Sequence, residues 1–361
     1  MMSLPRHLSF ALLGVALMLV LSAMPLTGQQ NDPAKGTIER ITVHGRALEG
    51  NLEGDSPDRP VIVYLPPSYA QETRRRYPVL YYLHGYGATA EAYAKVLALP
   101  TSIDRAVAAG AREMIVVLPD AFTKYSGSMY SNSPTIGDWE TFIAQDLPAF
   151  IDKRYRTIAS RESRGLAGHS MGGYGTMRVG MKQPGSFAAL YAMSSCCLMN
   201  NPAAGRGAGA REGAPARGDA AAGRGDGAGR AAGAGRGNAL ANAPAAQAAA
   251  WAPNPKNPPQ FFDLPTKDGE IQPLIAAKWP ANSPLVMVDQ HVPALKTMRA
   301  IALDVGDKDP FVTTNRQLNE ALTRLDIANS LEVYDGDHGN RVGERFESKV
   351  LPFFSKYLDA R

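Results

Sequence analysis

The 361-residue sequence predicts an α/β fold, a mostly parallel central sheet with helices on both faces. Two observations lead there. Short runs of β-branched and aromatic residues, each ended by Pro or Gly, alternate with stretches of helical periodicity. Runs such as YPVLYYL (77–83) and MIVVLP (114–119) are also apolar without alternation, as strands covered on both faces must be.

The elements follow in order. A strand is predicted at Ile38–Val43, then at RPVIVYLPPSY (59–69) and YPVLYYLHGYG (77–87). AEAYAKVLALPTSIDRAVAAG (90–110) reads as helix broken near Pro100, because proline removes a backbone donor and clashes with the preceding turn. After the strand at 114–119 comes an amphipathic helix around Pro148, in TFIAQDLPAFIDKRY. Strand RGLAGHS, a helix from Met171 and strand FAALYAMSS follow. The last part supplies strand RAIALDVGD, helix TNRQLNEALTRLD, strand LEVYDGD and helix RFESKVLPFFSKYL.

Two segments fall outside this pattern. Arg6 and His7 precede an uncharged apolar run, Leu8–Leu21, short for spanning a bilayer but of the length of a signal-peptide core, with an uncleaved membrane anchor as the alternative. Residues 1–28 are therefore expected to be a signal peptide, leaving a single domain over 29–361 that is secreted or periplasmic. No stable membrane association is expected after cleavage. Residues 200–250 are almost entirely Ala, Gly and Arg, with one leucine and no aromatic residue. So little apolar surface cannot offset the entropy of ordering, and a disordered insertion in the domain is expected.

Charge supports that division. The formal net charge is +4, from 38 basic and 34 acidic residues. Arg6, together with six arginines against three acids in 200–250, accounts for the whole excess. The rest is formally neutral, which gives no support to a nucleic-acid partner. Cys196 and Cys197 are the only cysteines. Sequence neighbours cannot build a disulfide framework, so two reduced thiols are expected.

The chemistry centres on Gly168-His169-Ser170-Met171-Gly172-Gly173. It fits G-x-S-x-G between a strand and a small-residue helix, the context in which a nucleophilic serine is exposed on a tight turn. In that architecture the order along the chain is serine, acid, histidine. Downstream lie only His291 and His338. His338, in the Gly-flanked turn after strand LEVYDGD, is the expected base, whereas His291 is read as capping or packing a helix. The acid belongs after the preceding strand, where Asp307 and Asp309 are both placed to orient an imidazole. Oxyanion donors are expected from the backbone N–H of Met171 and, in the loop His84-Gly85-Tyr86-Gly87, that of Tyr86. Tyr125, in AFTKYSGSMYSN, and Trp139 are candidate walls of a substrate pocket.

The segments PVLYYLHGYG, IAQDLPAFIDKRYR, GLAGHSMGGYGTMRVGMKQPGSFAALYAMS, DVGDKDPF and VYDGDHG resemble the esterase family of α/β-hydrolases. That family takes in S-formylglutathione hydrolases (esterase D), feruloyl and acetyl-xylan esterases, siderophore esterases and mycolyltransferases. The resemblance covers about residues 38–198 and 270–358, and GHSMGG is its most specific part. It implies an α/β-hydrolase fold and a serine esterase acting on small-molecule or carbohydrate esters through an acyl-serine, with no metal or organic cofactor; with the export signal, a secreted one. It also implies Asp309 as the acid, because Asp309-Pro310-Phe311 matches the Asp-x-Phe turn of esterase D-type enzymes. An S-formylglutathione hydrolase-like activity, acyl transfer, and a catalytically silent binding protein are the alternatives. The insertion departs from the family and falls where cap segments enter over the site.

Overall fold

The computed structural model describes residues 35–200 and 242–360. The expected signal peptide and residues 201–241 of the expected insertion lie outside the described residues. Eight strands form one sheet: β1 (Thr37–His44), β2 (Asp58–Leu65), β3 (Val79–Leu83), β4 (Ile115–Pro119), β5 (Arg164–His169), β6 (Ala189–Met193), β7 (Ala300–Gly306) and β8 (Ser330–Tyr334). Their spatial order is β1-β2-β4-β3-β5-β6-β7-β8. The β1–β2 and β2–β4 pairs are antiparallel, and every pair from β4 to β8 is parallel.

All five residues of β3, β4 and β6 are buried, as a sheet covered on both faces requires. Successive side chains divide between two cores. Val79, Tyr81 and Leu83 pack on one face with the helix α4 (Met171–Lys182). Leu80 and Tyr82 pack on the other with α1 (Ala90–Val96), α2 (Thr101–Ala108) and the C-terminal helix, α6 (Leu351–Tyr357).

Prolines shape the helices as the sequence foretold. Pro100 lies at the start of α2, in the break after α1. Pro148 lies in the first turn of α3 (Leu147–Arg154), directly after a widened turn of i→i+5 type at Phe142–Asp146. Pro352 repeats the arrangement after Phe346–Val350. The wide turn offers a place where the missing proline N–H leaves no gap in the hydrogen-bond ladder.

The expectation of disorder through Ala250 is corrected at its C-terminal end. Ala243–Trp251 is a helix, α5, with Ala246, Ala248, Ala249, Ala250 and Trp251 buried. Trp251 packs against Tyr174 and Trp279, each with ring centroids 5.8 Å away, and the Ser133 hydroxyl donates to the Ala249 carbonyl at 2.6 Å. Alanine looks featureless in composition, yet it is the best helix former and lets a helix approach its neighbours closely. Among the described residues no helix is long and apolar enough to cross a membrane.

Candidate active site

The sheet reverses its winding between β3 and β5, the topological switch point beside which open α/β sheets bind ligands. Ser170 sits at that point, between β5 and α4, with φ +58° and ψ −115°. An L-residue rarely adopts this conformation, and here the surroundings enforce it. The Ser170 amide donates to the Met193 carbonyl at 2.9 Å, and its carbonyl accepts from Tyr174 at 3.0 Å. The flanking glycines have a direct steric reason. A Cβ on Gly168 would stand 2.5 Å from the backbone of Gly172, and one on Gly172 would stand 2.0 Å from the Leu83 oxygen.

The structure brings Ser170, His338 and Asp309 together. The Ser170 hydroxyl lies 2.9 Å from His338 Nε2, and His338 Nδ1 lies 2.9 Å from Asp309 Oδ2. An ionised carboxylate accepts only, so Nδ1 carries the proton and Nε2 is left to accept from the serine. The Asp309 side chain is fully buried while a third of the imidazole is exposed. Burial pushes the Asp309 carboxyl up, but the His338 hydrogen bond and charge, the Phe311 amide and the Ser194 hydroxyl together hold it below the ordinary carboxylate value. The Phe311 amide donates to Asp309 Oδ1 at 2.8 Å, and the Phe311 ring meets the imidazole edge-on at 5.2 Å. Asp307 faces elsewhere, accepting from the Gly336 amide at 3.0 Å. That contact ties the loop after β7 to the loop after β8, a structural task distinct from orienting the imidazole.

The other expected residues divide. Among the described residues the Tyr86 and Met171 amides have no hydrogen-bond acceptor, which leaves both available beside the serine. The Tyr86 side chain leans on the next loop, its hydroxyl donating to the Tyr125 carbonyl at 2.7 Å. Tyr125 is half-buried, its ring edge-on to Phe262 at 5.3 Å. Trp139 departs from the expectation. It is 1% exposed, its Nε1 donates to the Ile136 carbonyl, and it packs between Phe142 and the Arg59 guanidinium. A ring enclosed in this way offers no face to a substrate.

Two histidines support the framework. His84 is buried, with Nδ1 at 2.9 Å from the Gly85 carbonyl and Nε2 accepting from the Ala121 amide at 2.8 Å. Burial depresses its basicity, which suits a neutral structural imidazole. His291 precedes the short helix Val292–Lys296 and makes no side-chain cap.

Sequence reasoning missed one pair entirely. His169 Nε2 donates to the His338 carbonyl at 2.6 Å, and its Nδ1 accepts from the Tyr93 hydroxyl on α1. His169 is the variable position of G-x-S-x-G, so the motif drew attention past it. Its place in a strand ending at the elbow was the signal that could have found it. Among the described residues no group of three or more His, Cys, Asp or Glu is arranged to hold a metal ion.

Comparison with known proteins gives the family and the fold. An esterase of Mycobacterium tuberculosis is 40% identical over 134 residues, which is 36% of this chain and 27% of that protein. The endo-1,4-beta-xylanase/feruloyl esterase of Xylanibacter ruminicola is 30% identical over 129 residues, 35% of this chain and 18% of its length. The matches thus span about a quarter or less of these curated relatives. A solved ferulic acid esterase superposes with a TM-score of 0.62 over 90% of this chain and 99% of its own, at 23% identity, and so shares the α/β-hydrolase fold. The family model described as "Putative esterase" matches residues 56–345, most of the chain, and this protein belongs to that esterase family.

Proposed function

We propose that this chain is an exported serine esterase that hydrolyses carboxylic esters of feruloyl, acetyl or carbohydrate type. The observation that carries the reading is the unbroken path Ser170 Oγ–His338 Nε2 and His338 Nδ1–Asp309 Oδ2, both contacts at 2.9 Å, on a strained strand-to-helix turn.

His338 takes the Ser170 proton as the hydroxyl attacks the ester carbonyl. Asp309 keeps the imidazole in the required tautomer and stabilises it once charged. The Tyr86 and Met171 amides receive the developing oxyanion, and α4 points its N-terminus at the same place. His338 then protonates the leaving alcohol and activates a water against the acyl-serine. Tyr125 stands as a side wall for the acyl or alcohol group. Export rests on the apolar run Leu8–Leu21, and recovery of a shortened chain outside the cytoplasm, by N-terminal sequencing, tests it.

Ser170→Ala abolishes hydrolysis of p-nitrophenyl acetate by the purified protein, and with it labelling by a fluorophosphonate probe. Turnover or labelling retained by that variant contradicts the assignment. A panel of feruloyl, acetyl and carbohydrate esters then ranks the substrate class by kcat/KM.

A further inference from the structure

After β6 the backbone takes two left-handed steps, at Ser194 (φ +42°) and Cys197 (φ +58°). The bend between them is fastened to the elbow. The Ser194 amide donates to the Asp304 carbonyl at 2.7 Å, and the Cys196 amide donates to the Ser170 carbonyl at 3.3 Å. Ser195 fits so tightly against α4 that a Cβ on Gly173 would stand 2.5 Å from its hydroxyl. This bend places the two free sulfurs of Cys196 and Cys197 at 2.8 Å. Cys196 is buried. Cys197 is half-buried, and its sulfur takes the Gln247 amide of α5 at 3.6 Å.

We propose that Cys196 and Cys197 are a redox modification site, where the adjacent thiols close into a disulfide that disturbs the Ser170 elbow. The proposal rests on Ser170 as the nucleophile for its effect on turnover, but not for its chemistry.

The oxidant is a low-molecular-weight disulfide, RSSR. The more accessible Cys197, as thiolate, attacks one sulfur of RSSR, forming a mixed disulfide and releasing one RS⁻. Cys196 then gives up its proton and attacks the Cys197 sulfur, expelling the second RS⁻. The balance is two thiols and one RSSR to one intramolecular disulfide and two RSH. The contact with Cys197 and burial push the Cys196 thiol well above its ordinary value, which fits it for the second, resolving attack rather than the first. A bond between sequence neighbours closes a strained ring, and strained disulfides are the readily reduced, regulatory ones. Closure reorients the Cys196–Cys197 peptide. The Cys196 amide then loses its line to the Ser170 carbonyl.

The test treats the full chain under native conditions with oxidised glutathione and alkylates what remains. Expected is a product lighter by two hydrogen atoms, with neither cysteine alkylated and no dimer on a non-reducing gel. Its kcat on p-nitrophenyl acetate falls about tenfold, a loss typical of slight misplacement at a reacting centre, and dithiothreitol restores it. Cys197→Ala keeps the untreated kcat and loses the response. Glutathionyl adducts on both cysteines, unreacted thiols, or a linked dimer overturn the site. A closed disulfide with unchanged kcat overturns the switch. The mass shift requires no turnover, so failure of the esterase reading, seen with Ser170→Ala, is distinguishable from failure of this one.

Discussion

His169 Nε2 donates to the main-chain oxygen of His338 at 2.6 Å, so the residue before Ser170, the proposed nucleophile, holds in place the proposed base. Tyr93 fixes the His169 tautomer from the opposite ring nitrogen, tying the base's loop to α1 across the top of the sheet. His169→Ala is expected to lower kcat about tenfold while KM changes little, because the loop loses a positional restraint and not a binding contact. His169→Gln, whose side-chain amide can donate to the same carbonyl, recovers part of the loss. Steady-state kinetics on one ester decides it, and an effect confined to KM contradicts the role.

Asp309 bears on the pH profile. Its folded-state carboxyl is held below the ordinary value, so the stabilisation it gives is present above the ordinary carboxylate range and is lost only as pH falls beneath it. The acid limb of kcat/KM should therefore show no carboxylate step within the ordinary range. Asp309→Asn should lower kcat/KM by about 10³-fold or more, since the amide favours the wrong imidazole tautomer. Circular dichroism of that variant should match the parent.

Beneath the site, Asp304 Oδ2 accepts from Arg345 Nε at 2.7 Å and from the Tyr191 hydroxyl at 3.0 Å. Both members of the ion pair are almost fully buried. Asp304→Ala leaves a buried guanidinium with only Glu332 to answer it, and about 3 kcal/mol of stability should go. Denaturant unfolding measures this. A loss under 1 kcal/mol would mean that Glu332 and solvent compensate.

Glu53 gives stability a pH dependence of the opposite sense. Burial, and the neighbouring Asp55, push its carboxyl up to about 9, against a smaller pull from Lys124. The folded chain then binds more protons than the unfolded one between the ordinary carboxylate value and that raised value. The contribution is complete at acidic pH and fades as pH rises through this window. Glu53→Gln should flatten the slope and raise the melting temperature at pH 8 by on the order of 2 °C. Equal melting-temperature profiles for the two proteins would rule this out.

The sheet was legible because its central strands are buried on both faces, which gives apolar runs such as YPVLYYL. Ser170 and His338 were legible because the elbow needs glycine at fixed spacing and the base must follow the last strand. Asp309 was not separable from Asp307 by position alone, since both follow β7 within one turn; a hydrogen bond to the imidazole separates them. Trp139 misled because its place after the fourth strand suits a pocket wall, while its own indole N–H turns inward to Ile136. α5 escaped notice because its amphipathic signal is absent: alanine covers every face, and burial depends on Trp251, Tyr174 and Trp279 meeting in three dimensions.

The chain leaves the described fold at Asn200 and returns with α5, and both sides of that gap are fastened to one residue. Asn200 Nδ2 donates to the Cys197 carbonyl at 2.8 Å, and Gln247 donates to the Cys197 sulfur. Closing a flexible loop between ends held at a common point costs only about 0.6 kcal/mol more for each doubling of its length. The position is thus a natural port for insertion. A reporter domain, or a much shortened linker, can be grafted between Asn200 and Asn242 while the sheet, the elbow and its hydrogen bonds stay as they are.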